Sequence, residues 1–437
     1  MTQKWDIVIV GGGLAGYVAA NYLTETSLSV LLIEKGKNIG GRARTNKVNQ
    51  QYLNIGPHAL SKKGKAMTIL KDLGISLSGK SPKLDGILIE DNIEYAAPLS
   101  PLELFRTSLL NRKERMEWIA VLFKVMRTDT ENLAAQTFQQ WVMQVGDSKR
   151  VQSLLYILGR LATYCHAPEM ASAKVVVSNI RNAMGGVLYL DGGWQTIIDQ
   201  LHNKAISLGV QVQSHTLVKQ IDPAQQEDQF KLILSNDEEI HAKYVICTTG
   251  PHELHKMVNE NYQNSFFTQI KAVRGATLDL ALSQLPNPSR LFAMGITDPL
   301  YYSVHSNYAR LSDDTKSSVL HVFKYHHPDD HIDSTSIKNE LEQFLDRLQP
   351  GWQQYVITRR FLPNITVNQR LPQLGDEHKL QRSKTEIPGL YIAGDWASSD
   401  SILADGAASS GKQAAEEIIL NEKEENSANY ERRLPTF

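Results

Sequence analysis

The apolar run Trp5-Asp6-Ile7-Val8-Ile9-Val10 passes straight into Gly11, Gly13 and Gly16, and an acid, Glu34, ends the next apolar run, Leu28 to Ile33. The order is strand, glycine turn, helix, strand and carboxylate, all within one βαβ-sized stretch. The first glycine permits the tight turn, the second lets backbone approach a pyrophosphate, and the third lets helix and strand pack closely. Leu14 and Ala15 open the helix, whose free N–H groups and partial positive charge favour phosphate oxygens. Glu34, with Lys35 beside it, suits the hydroxyls of a ribose. Three glycines alone are a weak signal. With strand, helix and acid all in place they predict a dinucleotide site.

Two further segments narrow the dinucleotide. Gly40-Gly41-Arg42-Ala43-Arg44-Thr45 follows the second strand, and Gly56-Pro57-His58-Ala59-Leu60 comes soon after. Paired glycines admit a close ligand, and an arginine beside them reaches phosphate or ribose oxygens. Far along the chain, the strand Leu390-Tyr391-Ile392-Ala393 runs into Gly394-Asp395, and Asp405-Gly406-Ala407 opens a helix running to about Leu420. An aspartate at a strand end suits a sugar-like hydroxyl, and a helix start stabilises negative charge.

Together these motifs resemble the FAD-binding amine oxidase superfamily. The Gly56–Leu60 segment and the stretch from Gly389 to Ile418 look most like its phytoene desaturase (phytoene dehydrogenase) related branch. The resemblance implies non-covalent FAD, since no cysteine lies in the C-terminal segment. It places Gly11, Gly13, Leu14, Ala15 and Gly16 at the pyrophosphate and Glu34 with Lys35 at the adenosine ribose. Gly41 and Arg42 would lie along the pyrophosphate and ribityl chain, and Val218 would meet the adenine. Gly56 and Pro57 would pass close to the isoalloxazine, and Gly394 and Asp395 would hold a ribityl or phosphate oxygen. Backbone N–H groups around Asp405, Gly406 and Ala407 would face the N1–C2=O edge, where hydride arrival puts negative charge.

The chain has 437 residues, enough for two domains. The expected fold is α/β: a Rossmann-type FAD-binding domain with a second, discontinuous α+β substrate domain of mixed sheet and helical insert. Residues 1–80, 192–262 and 381–420 would form the first, residues 81–191 and 263–380 the second, and 421–437 a charged, fraying tail. A hairpin is expected at Gly86–Pro98, turning at Asp91-Asn92, and a long helical insert from Pro101 to about Tyr164. A short β-pair is read at Phe230–Leu234 and Glu239–His241, and a separate strand at Lys243–Cys247.

A formal net charge of -1 predicts no nucleic-acid partner. Cys165 and Cys247 form no C-x-x-C and suggest a reducing compartment; Cys247 reads as a small buried residue. No stretch approaches the roughly 18 apolar residues of a membrane span, and the strand starts almost at the N-terminus, so the expected location is cytoplasmic. The segment 101–127 is amphipathic with Arg112, Lys113 and Arg115 between its apolar parts. It reads as a lid helix packing inward, or as a peripheral membrane contact through which a hydrophobic substrate arrives. His326-His327 with Asp329-Asp330-His331 lacks a helical ligand register and reads as a solvated loop, so no metal is expected.

His58 is the candidate catalytic residue, as proton donor or substrate-orienting group; the alternative is a histidine that bonds backbone in a tight turn. Without a second dinucleotide fingerprint, electrons would leave to oxygen, a quinone or another acceptor. The activity implied is hydride transfer from a small hydrophobic, isoprenoid- or carotenoid-like substrate to flavin N5. An amine oxidase, or a flavoprotein isomerase without net redox turnover, stays open.

Overall fold

The computed structural model describes residues 3–83, 85–223, 230–258, 265–314 and 316–433. Two seven-stranded sheets carry the architecture. In the first, Gln3–Val10 lies centrally, parallel to Val30–Ile33 on one side and to Glu239–Cys247 on the other. Gln211–Gln213 extends the Val30–Ile33 side, and Phe230–Leu234 and Val218–Pro223 extend the other. Ile7, Val8, Ile9 and Val10 are all buried, as strands covered on both faces require.

Glu239–Cys247 is one continuous strand where the sequence suggested two. Its first half pairs antiparallel with Phe230–Leu234 and its second half parallel with Leu390–Ile392. The change of partner midway explains why the pattern reads as two short pieces. Residues from the beginning, middle and end of the chain therefore build one sheet, and the glycine turn emerges where its central strands end.

The second sheet runs in the order Val356–Asn368, Val273–Leu282, Ser318–Tyr325, Leu300–Val304, Phe292–Gly295, Ile87–Glu90 and Ile93–Ala96. The last two are the expected hairpin, with Asp91 and Asn92 at φ 46° and 68°, as a two-residue turn between twisted strands demands. On one face Ile337, Leu341, Phe344 and Leu345 of helix Ser334–Leu348 pack against the sheet. The helical insert covers the other face. It consists of four α-helices: Pro101–Arg106, Arg112–Arg127, Phe138–Val145 and Lys149–Thr163. Capping boxes at Asn111 and Thr137 start two of them. A further helix, Ala173–Met184, joins their core with Phe323 and Tyr325 of the sheet.

The charged tail continues as helix beyond Asn421 as far as Arg433. The last helix runs Leu403–Arg433, and Lys243 holds Glu422 and Glu425 at 2.5 and 2.7 Å. A run of acids that looks solvated is here tied to an inner strand of the first sheet.

The same helix crosses Leu14–Leu23 at backbone contact: a Cβ on Gly411 would stand 2.4 Å from the Ala15 carbonyl oxygen. Helix propensity alone predicts that Gly411→Ala gains up to about 1 kcal/mol. The clash with rigid backbone reverses the sign, and the expected outcome is a loss of about 1–3 kcal/mol. Chemical denaturation of the two proteins checks it; a more stable variant would mean the helices are not in contact there.

Candidate functional site

The glycine turn is held from two sides. Gly11 has φ 116°, its N–H donates to the Ile33 carbonyl (2.8 Å), and Thr248 Oγ1 donates to the Gly11 carbonyl at 2.9 Å. A Cβ on Gly16 would lie 2.1 Å from the Gly11 oxygen, so helix and turn touch through backbone. Helix Leu14–Leu23 begins at Gly13 with no side-chain cap, no acid in its first turn, and Leu14, Ala15 and Gly16 all buried. A buried helix start without a side-chain cap suits an anion. A Cβ on Gly13 would meet nothing within 4 Å, so the space before that helix start is open.

Glu34 ends its strand buried. Its Oε2 accepts from the Gly12 N–H and its Oε1 from the Gly36 N–H, each at 2.7 Å. The carboxylate thus sits at the turn where a ribose is expected, and each oxygen keeps a lone pair for a hydroxyl. Lys35 is exposed beside it, and Val218 is buried where its strand begins, two residues after Thr216, whose N–H donates to the Glu34 carbonyl at 3.0 Å.

The paired glycines fold onto the first turn: Gly40 N–H donates to the Gly12 carbonyl at 2.7 Å, and a Cβ on Gly41 would stand 3.6 Å from Gly13 Cα. Arg42 and Asp395, expected to reach the ligand separately, are joined to each other by a two-pronged ion pair, with Nη2 to Oδ1 at 2.7 Å. Burial draws the Arg42 pKa down, but the Asp395 carboxylate more than offsets this and leaves it raised. The Gln369 N–H also donates to Asp395, at 3.0 Å. The pair buries Asp395 and leaves Arg42 partly exposed.

The last helix brings one correction. The Gly406 N–H, expected at the flavin edge, already donates to the Ile402 carbonyl (3.0 Å), and the Leu403 N–H to Asn368 Oδ1 (2.8 Å). The amides the first turn can offer are those of Ala404 and Asp405. The Asp405 side chain turns away to accept the Ala66 N–H at 2.9 Å, and burial raises its pKa. Ala407 follows within the helix, half-buried.

His58 is clamped by backbone. Its Nδ1 faces the Gly56 carbonyl at 3.0 Å and its Nε2 the Arg42 carbonyl at 3.1 Å. Burial lowers its pKa, which leaves a neutral ring with one proton between two acceptors. It fixes the Gly56–Pro57 turn against the arginine loop rather than presenting a free proton.

The second sheet reaches the same turn. A Cβ on Gly56 would lie 3.1 Å from Ile365 Cδ1 and 3.7 Å from Thr277 Cβ. Two residues on, Asp279 is fully buried and accepts from Thr277 Oγ1 (2.6 Å), while His321 Nδ1 stands 2.7 Å away. Arg360 Nη2 completes the set at 2.6 Å and also binds the Asn54 carbonyl. Burial pushes the Asp279 pKa up, but His321, Arg360 and the Thr277 hydroxyl together hold it below 3.8. Sequence reading missed this group and also Thr248, Asn368 and Arg370, the last of which donates to the carbonyls of Trp396 and Ser398. Of the histidine-rich loop, His326 faces the Pro363 carbonyl and His327 faces Glu169.

These residues fit a dinucleotide: an open space before an uncapped buried helix start, a ribose-side carboxylate, and a buried, unpartnered Nε on Arg44 in the arginine loop. The sequence matches the flavin-containing amine oxidoreductase family over residues 14–419. An L-amino-acid oxidase of Sistrurus catenatus edwardsii is 25% identical over 191 residues, which are 43% of this chain and 34% of that protein. The match thus spans about a third of that relative's length. An oxidoreductase from Methanosarcina mazei superposes with a TM-score of 0.74 at 17% identity, covering 95% of this chain and 100% of that one. Wild-type putrescine oxidase bound to putrescine gives 0.73 at 16%, covering 96% and 100%. At such identities the structures establish a shared fold.

Two outcomes follow from this geometry. Glu34→Ala removes the carboxylate from the ribose position, and FAD affinity is expected to fall by roughly 2–4 kcal/mol; titration of apo-protein measures it, and an unchanged dissociation constant would place the ribose elsewhere. Asp279→Asn leaves Arg360 without its counter-charge, at an expected cost of about 3–5 kcal/mol. Because the folded pKa of Asp279 is depressed, its contribution is present above 3.8 and is lost as pH falls through the folded value. Unfolding curves should therefore lose part of their acid dependence in the variant.

Proposed function

The chain belongs to the flavin-containing amine oxidoreductase family, and from that membership we propose that it holds FAD non-covalently and desaturates an elongated hydrophobic substrate of isoprenoid or carotenoid type. Bound FAD supplies the hydride acceptor. The chain's own residues do the rest. The helix start at Leu14 and the Arg42 side chain meet the pyrophosphate, Glu34 the ribose, and the Ala404 and Asp405 amides the edge that gains negative charge. Neither cysteine of the chain lies between Gly389 and Ile418, so no thiol stands in that segment to bond the flavin.

The observation that carries the substrate reading is the face the second sheet presents to the Gly56 turn. Thr277 and Ile365 approach it, with Phe323, Tyr325 and Tyr164 packed behind, and Tyr164 Oη donates to the Pro57 carbonyl at 2.9 Å. The carboxylate of that strand, Asp279, is already shared by Arg360, His321 and Thr277. An ammonium placed there would lose water without gaining a counterion, at a cost of several kcal/mol. An alkene chain gains about 0.8 kcal/mol for each CH₂ it buries.

Anaerobic stopped-flow mixing tests this. Long isoprenoids in detergent are expected to bleach the flavin, and primary amines and polyamines to leave it oxidised. Bleaching by an amine and by no isoprenoid would assign the chain to amine oxidation, and acid-precipitated protein that retained its flavin would overturn non-covalent binding.

A membrane face supplies such a substrate. Trp118, Val121 and Val125 of helix Arg112–Arg127 pack inward, yet Met116 and Phe123 are exposed at 67% and 59%, and Phe105 of the preceding helix at 75%. The charges exposed along Arg112–Arg127 are Arg112, Lys113, Lys124 and Arg127, all cationic, while Glu114 and Glu117 are half-buried and accept backbone N–H groups. Apolar side chains among cations suit an anionic lipid surface. Each cation near such a surface contributes about 1 kcal/mol. Replacing Arg112, Lys113 and Lys124 together by Glu should therefore weaken binding to phosphatidylserine-containing vesicles at least a hundredfold in sedimentation assays; equal binding of both proteins would remove the membrane from the account.

A further inference from the structure

The helical layer over the second sheet encloses a cavity of about 260 Å³ that the reading above does not use. Phe138, Tyr156, Arg160, His166 and Ile296 line it, and Thr297 stands exposed at its rim. Arg160 decides its chemistry. The residue is 4% exposed, its Nη2 donates to the carbonyls of Gly295 and Ile296 at 2.9 Å each, and its Nε is buried with no partner. Among the described residues no carboxylate forms an ion pair with it; Asp298, whose charge acts on it, is exposed. A guanidinium cannot escape this position by losing its proton, so it remains a buried cation without a counterion.

His166 is the titratable neighbour of that cation, among the hydroxyls of Ser153, Tyr156, Thr163 and Thr297. Burial, reinforced by the Arg160 charge, draws its pKa down to about 4, so near neutral pH it is an uncharged ring able to donate one hydrogen bond. The apolar part of the wall is Phe138, Pro168, Ala171, Val176 and Ile296. A planar cation, a neutral donor and apolar walls match a small acid with a hydrophobic body.

We propose that this cavity binds a small organic carboxylate, its anion on Arg160 and its apolar part against Phe138 and Ile296. The site adjoins the flavin turn through one residue: Thr163 and Cys165 line the cavity, and Tyr164 between them bonds the Pro57 carbonyl. The carboxylate belongs either to one end of the substrate or to a separate acid, and the same chemistry recognises both. The proposal stands apart from the isoprenoid reading, because its measurement is binding.

The experiment is isothermal titration of the flavin-loaded, full-length protein near neutral pH with benzoate and with neutral benzamide. Benzoate is expected to bind and benzamide to bind at least tenfold more weakly. Arg160→Gln should raise the benzoate dissociation constant at least tenfold. Because that side chain also ties two carbonyls, Ser153→Phe, at a half-buried lining position, gives an independent block with the same expected loss. Absence of benzoate binding, equal affinity for benzamide, or unchanged affinity in the folded Ser153→Phe protein would each overturn the proposal. Competition between benzoate and the reducing substrate in stopped-flow would assign the carboxylate to that substrate, and an unaffected reduction rate would assign it to a separate acid; both uphold the site. Failure of every isoprenoid to reduce the flavin would leave the benzoate result untouched.

Discussion

Helix Leu14–Leu23 is trapped between two backbone contacts, Gly16 against the Gly11 carbonyl and Gly411 against the Ala15 carbonyl, and the rest of the site is arranged around it. Because no side chain intervenes at either contact, the first turn of this helix and the third turn of the last helix are set at nearly fixed separation. The last helix is in turn tied to its own strand, since Ser410 Oγ donates to the Gly394 carbonyl and accepts the Gly394 N–H. The two helix starts that the dinucleotide reading assigns to the phosphate and flavin ends are thus linked through backbone. Loosening that link would move both together.

The second sheet is coupled to this assembly through a buried charge, which physics makes an expensive connection. Asp279 and Arg360 give up water, and their attraction offsets that loss only because the remaining lone pairs and N–H groups find partners in Thr277, His321, Asn46 and Asn54. A hydrophobic pair of the same volume would hold two strands together as well. What it would not do is bind the Asn54 carbonyl, two residues before Gly56, and so fix the turn relative to the substrate-side sheet. The network sets a position more than it adds stability.

How much of this a reader of the sequence can see depends on how far apart the partners lie. The turn at Gly11–Gly16, the acid Glu34 and the hairpin at Asp91-Asn92 are legible because period and spacing encode them within a few dozen residues. Asp279 and Arg360 lie 81 residues apart, and Thr248 meets the Gly11 carbonyl across 237. Neither carries a local pattern. The acids after Asn421 misled for the same reason, since Lys243 lies 179 residues before Glu422. Glu239–Cys247 read as two strands because its neighbours change halfway, a property of the sheet rather than of the segment. His58 was legible as a residue beside the turn, but its two carbonyl partners decide what it can do, and one of them, Arg42, comes from another loop.

Two bulky residues in left-handed backbone mark where the fold accepts strain for the sake of the site. Leu403 has φ 56° and Tyr164 φ 58°, a conformation that costs a side-chain-bearing residue on the order of 1–3 kcal/mol. Each also makes a hydrogen bond: Leu403 gives its N–H to Asn368, and Tyr164 ends helix Lys149–Thr163 with its hydroxyl on the Pro57 carbonyl. Glycine at either place would relieve the backbone but surrender side-chain contacts, and at Tyr164 the hydrogen bond as well. The strained residues therefore do two things at once. Leu403 sets the angle at which the last helix presents its first amides, and Tyr164 joins the helical layer to the turn at Gly56. Through Tyr164 the buried cation at Arg160, one helical turn earlier, is mechanically connected to the turn at Gly56.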